Sequence, residues 1–117
     1  KAIMGKNKIE PLLKWKIALV ISETLKCPFC VSVTQKMLVQ LGADEKTIEE
    51  IKKLSTKDRE VLELVKDITL DGHLDKPELF EKLKEKFSEA QIVEIISVIG
   101  LFNYINRFNN TLGVLPE

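Results

Sequence analysis

Apolar side chains recur three and four positions apart along almost the whole chain, and no stretch alternates strictly between apolar and polar residues. This pattern predicts helices throughout and no sheet. Punctuation cuts it into six segments. Pro11 starts the first helix, where its missing N–H costs nothing. Leu12, Leu13, Trp15, Ile17, Ala18, Leu19, Val20 and Ile21 make that helix apolar nearly all round. Lys26-Cys27-Pro28 breaks it, since a residue before proline is pushed out of helical geometry. Pro28 opens a second helix that carries Phe29, Cys30, Val33, Met37, Leu38 and Leu41 inward and stops at Gly42.

Asp44 is the expected cap of a third helix running through Leu54. Ser55 and Thr56 offer the cap of a fourth, with Asp58 and Glu60 in its first turn and Gly72 at its end. Asp75 and Pro77 start a fifth, over about Glu78 to Phe87. Ser88-Glu89-Ala90-Gln91 is a capping box for the last, which is expected to end near Asn109 with Gly113 beyond it. There is no internal repeat, and 117 residues make one domain, 1–117.

The 18 basic and 18 acidic side chains are spread evenly and cancel. No basic stripe forms, so binding to nucleic acid or to an anionic membrane has no electrostatic support. The longest apolar run near the N-terminus, Ile17 to Ile21, is far too short to span a bilayer. Glu23 and Lys26 follow it with no small-residue cleavage site, which argues against a signal peptide. The chain opens at Lys1 rather than Met, which leaves room for a piece preceding it. Two cysteines three positions apart are not a secreted disulfide framework, so a cytoplasmic location is expected.

The last helix bears on assembly. Ile92, Val93, Ile95, Ile96, Val98, Ile99, Leu101, Phe102, Tyr104 and Ile105 cover more than one of its faces. A helix apolar on most of its circumference must be buried on most of it, and a domain this small can cover only one side. A homo-oligomer is expected, with Ile95, Ile99 or Phe102 facing the partner. The alternative is a central helix enclosed by its own neighbours.

Cys27-Pro28-Phe29-Cys30 is the one motif that carries chemistry. A thiolate at a helix N-terminus is stabilised by unpaired N–H groups and by the helix dipole, which lowers its pKa from about 8.5. Residues three apart in a first turn also lie close enough for a disulfide. One sulfur can attack while the other resolves the intermediate. Zinc is the competing use of such a pair. It needs four ligands, and beyond the cysteines the chain offers only His73, at no chelating spacing, so no metal and no other cofactor is expected. The plainest alternative is two buried, inert thiols.

Here a family resemblance enters. Lys16-Ile17-Ala18-Leu19-Val20-Ile21-Ser22 running into Cys27-Pro28-Phe29-Cys30-Val31-Ser32-Val33-Thr34 is similar to the core of the carboxymuconolactone decarboxylase family, in its alkylhydroperoxidase AhpD-like branch. Met37-Leu38-Val39-Gln40-Leu41-Gly42-Ala43, then Phe102-Asn103-Tyr104-Ile105-Asn106-Arg107-Phe108 and Leu112-Gly113-Val114, agree in order and spacing. The resemblance covers the chain from about Glu10 to its end. It implies an all-α AhpD-like bundle of about six helices, assembled as trimers or hexamers, whose cysteine pair reduces peroxides and is recycled by a thiol reductant. In that scheme Cys30 is oxidised to a sulfenic acid and Cys27 is the proton donor and resolving thiol. Helix electrostatics alone would favour Cys27 as the more acidic of the two.

Two departures weaken this scheme. The family pattern has a glutamate twelve residues before the first cysteine and a histidine four residues after the second, and here those positions are Trp15 and Thr34. Indole does not relay protons near neutral pH, and a threonine hydroxyl does so poorly. Glu23 is the one nearby carboxylate, and a solvated charge is its ordinary role. The chain therefore reads as a thiol-dependent oxidoreductase of weakened activity. The alternative is a non-catalytic, redox-sensitive oligomeric scaffold of the same fold. Lactone decarboxylation gains nothing from the cysteines and lacks a histidine in the helical core.

Overall fold

A computed structural model describes residues 4, 8–55, 58–70 and 77–116, apart from the side chain of Leu79. Six helices follow in order: α1 (Pro11–Thr24), α2 (Pro28–Gln40), α3 (Glu45–Lys52), α4 (Arg59–Leu70), α5 (Pro77–Lys86) and α6 (Glu89–Leu112). There is no strand among the described residues, so the fold is all-α as the periodicity predicts.

The centre of the bundle is α1, which packs against α2, α3, α4 and α6. Its run Ile17–Ser22 is buried without interruption, which explains why its apolar residues follow no single stripe. By contrast, α3 and α4 bury one face each, through Ile48 and Ile51 and through Val61, Leu62, Leu64 and Val65. α6 crosses α1 and buries Ile92, Ile95, Val98, Ile99 and Phe102. No helix among the described residues is long and apolar enough to cross a membrane.

Two lysines of α1 lie in this core. Lys14 is fully buried, with its Nζ 2.9 Å from Glu94 of α6, and Lys16 reaches Asp58 at 2.9 Å. Glu94 also accepts the backbone N–H groups of Lys8 and Ile9, so one carboxylate fastens both α1 and the segment before it to α6. Burial works against this charge. The hydrogen bonds from Lys14, Ile9 and Lys8 outweigh it and hold Glu94 below its ordinary value.

Several ends differ from expectation. α3 stops at Lys52, and Leu54 takes a left-handed φ of 56°. Ser55 bonds back to the Glu50 carbonyl through both its N–H and its hydroxyl, so it closes α3 instead of capping α4. Asp58 supplies the first carbonyl of α4 to Leu62. Thr56, Gly72, His73 and Asp75 lie outside the described residues. The Ser88 capping box forms as expected, but α6 continues to Leu112, and Gly113 at φ 69° is its left-handed cap. Leu41, expected inside, is 39% exposed.

Candidate active site

The site is built at the junction of α1 and α2. After α1 ends, Leu25 caps it and Lys26 reverses the chain with a left-handed φ of 55°. Cys27 is then the extended N-cap of α2, Pro28 its first residue and Cys30 its third. Proline is suited here, because it presets the helical φ and lacks an N–H that would have no partner. The two Cα atoms are 5.2 Å apart, and the sulfurs are joined as a disulfide.

The two sulfurs have different surroundings. Cys27 Sγ accepts the Cys30 N–H at 3.3 Å, taking the place of the oxygen of an ordinary N-cap side chain. Cys30 Sγ accepts from Nδ2 of Asn109 at 3.5 Å, across the fold from the end of α6. Both residues are almost fully buried. On the solvent side an open depression of about 490 Å³ is lined by Glu23, Lys26, Cys27, Pro28, Val31, Ser32 and Gln35. Cys27 borders it.

Neither departure from the family pattern places an ionisable group at the sulfurs. The Trp15 indole packs edge-on against Phe102, with ring centroids 5.5 Å apart. Thr34 is fully buried, and its hydroxyl bonds to the carbonyls of Cys30 at 2.8 Å and Val31 at 3.0 Å. Glu23 is exposed and lies 3.9 Å from Lys52.

The residue that sequence reasoning missed is Asn109. On the same side of α6 as Phe102 come Asn106, which is buried and donates to the Phe102 carbonyl at 2.7 Å, and then Asn109 on Cys30. Asn110 follows, with its amide on the Leu25 carbonyl at 2.9 Å, fastening the end of α1. The signal was present in the sequence. Asparagines spaced three apart interrupt an otherwise apolar helix, and a polar amide on a buried face requires a partner.

With this geometry in view, the likeness to known proteins has a structural basis. No family model matches the chain. The uncharacterized protein YdfG of Bacillus subtilis (strain 168) is 27% identical over an alignment 104 positions long that covers 83% of this chain and 71% of that protein. A solved structure of an uncharacterized peroxidase-related protein from Silicibacter sp. TM1040 superposes with a TM-score of 0.89 at 24% identity, over 98% of this chain and 64% of that one. Debrominase Bmp8 matches with a TM-score of 0.79 at 24% identity over 99% of this chain, both alone and as a cysteine-to-alanine variant in complex with 2,3,4-tribromopyrrole.

The fold is shared. It is an all-α bundle of six helices among the described residues, consistent with the AhpD-like bundle that the resemblance implies. The chain spans about two thirds of the length of these structures, between 64% and 66%. Fold alone does not carry activity, so function rests on the cysteine site.

Proposed function

We propose that this chain is a thiol-dependent oxidoreductase whose redox centre is the Cys27–Cys30 pair and whose reduction of peroxides is slow. The observation that carries it is the placement of both sulfurs, bonded to each other, in the first turn of a proline-started helix beside an open depression. A peroxidase-related protein among the structural neighbours is consistent with this reading.

In the peroxide reaction the Cys30 thiolate attacks the peroxide oxygen and becomes a sulfenic acid, and the O–O bond breaks. The departing alkoxide takes the proton of the Cys27 thiol. The Cys27 thiolate then attacks the sulfenic sulfur, forming the disulfide and releasing hydroxide. An external thiol reductant reopens the disulfide. Trp15 and Thr34 supply no general base for the first deprotonation, and loss of such a group typically removes a factor of about 10² to 10⁴.

A second reading is a redox-sensitive oligomeric scaffold. Its support is the absence of an ionisable side chain at Trp15 and Thr34, together with the apolar face that α6 leaves exposed. Consumption of an organic hydroperoxide in the presence of excess dithiol separates the two. Slow turnover that Cys30→Ser abolishes supports the enzyme. A folded protein that forms the disulfide but shows no turnover above the dithiol alone supports the scaffold.

A further inference from the structure

We infer that Asn109 is a catalytic residue of the pair, its side-chain amide holding the charge on Cys30 sulfur when the disulfide opens. This deepens the oxidoreductase reading and rests on it. The depression is lined by Cys27 and not by Cys30, so Cys27 is the cysteine that an incoming thiolate approaches from it. A bond forms between the incoming sulfur and Cys27 as the Cys27–Cys30 bond breaks. The incoming thiol is oxidised to a mixed disulfide, and the electron pair of the broken bond leaves on Cys30 as thiolate.

That thiolate is nine-tenths or more buried, and burial disfavours a charge that has no donor. The Cys30 N–H already points at Cys27. The Asn109 Nδ2–H, at 3.5 Å, is the donor aimed at Cys30 sulfur. Hydrogen bonds to a charged acceptor are about twice as strong as neutral ones, so this contact gains strength as charge develops. It is present in the disulfide and needs no rearrangement.

Asn109 is held in place by its helix, whose final turn is fixed by the Gly113 cap and by the Asn110 bond to Leu25. The charged groups bordering the depression are Glu23 and Lys26, and Lys52 of α3 lies 3.9 Å from Glu23. The two that border it are on the Cys27 side. An amide supplies a dipole but no proton, so Asn109 replaces the electrostatic part of the missing family groups and not their relay. This is consistent with a pair that exchanges disulfides more readily than it reduces peroxides.

Single-thiol proteins test the assignment without requiring turnover. Thiolate absorbance is titrated against pH in Cys27→Ser and in Cys30→Ser, each with Asn109 intact and as Asn109→Leu, which keeps the volume and removes the donor. Asn109→Ala is the second variant, and helical circular dichroism verifies the fold of each. The Cys30 midpoint is expected to rise by about one unit on loss of the donor, while the Cys27 midpoint stays fixed. An unchanged Cys30 midpoint, or an equal rise in both backgrounds, would overturn the assignment. A native protein with no redox turnover would instead remove the oxidoreductase reading while leaving this titration readable.

Discussion

The Thr34 hydroxyl donates to the carbonyl of Cys30 at 2.8 Å, one turn back along α2, and so the side chain four residues after Cys30 serves the backbone and not the sulfur. Threonine in a helix commonly bonds this way. Thr34→Val keeps the shape and removes the hydroxyl. We expect the rate of dithiol reduction to stay within about twofold and stability to change by about 1 kcal/mol or less. A tenfold loss of rate in a folded variant would show that the hydroxyl takes part in the chemistry.

Trp15 has a structural role where the family pattern has a carboxylate. Its edge contact with Phe102 ties α1 to α6. Trp15→Ala should lower stability by about 3 kcal/mol, at the low end for aromatic truncation because the ring is only half-buried. Denaturant unfolding measures this. Trp15→Glu places a carboxylate against the same ring, so a gain in peroxidase rate from Trp15→Glu with Thr34→His is expected only if the double variant still folds.

Glu94 contributes to the acid sensitivity of the fold. Its pKa is held below the ordinary 4.5, so its stabilising contribution is complete above that value and is lost as pH falls through the lower folded value. Thermal midpoints should therefore drop on acidification below about pH 4.5, and Glu94→Gln should flatten that part of the profile. At neutral pH the substitution replaces the carboxylate beside the buried Lys14 ammonium by a neutral amide and should destabilise the fold, as read by denaturant unfolding. Equal acid sensitivity in both proteins would contradict this assignment.

The side of α6 that the bundle leaves exposed is not the one expected to face a partner. Ile95, Ile99 and Phe102 are all buried within the chain's own bundle by α1 and its neighbours. The apolar side chains that α6 leaves exposed are Val93, Ile96, Tyr104, Phe108 and Leu112, spaced three to eight apart along the other side. If a homo-oligomer such as a trimer or hexamer forms, this face is its contact. Ile96→Asp combined with Phe108→Asp should then release folded monomers, as read by light scattering at micromolar concentration. A native protein that already scatters as a monomer would remove the prediction and the main support of the scaffold reading.

Much of this molecule was legible because its signals are local. Pro11, Pro28 and the Ser88 box act on their own helices, and the Cys27–Cys30 spacing fixes the pair without help from elsewhere. The misses are contacts between distant segments. Nothing near Lys14 in sequence announces that Glu94 will neutralise it, and Asn109 reaches Cys30 only because α6 crosses the bundle. The two faces of α6 look equally apolar as sequence. Which one is covered depends on where α1 lies.

The redox pair itself is tested most directly by intact and peptide mass after a cycle of oxidation. Protein reduced with dithiol, freed of it, treated with a stoichiometric hydroperoxide and alkylated should show one peptide containing both Cys27 and Cys30, unalkylated and lighter by two hydrogens, and a second dithiol treatment should restore both alkylation sites. Two freely alkylated cysteines after oxidation, or disulfides found only between chains, would contradict the account.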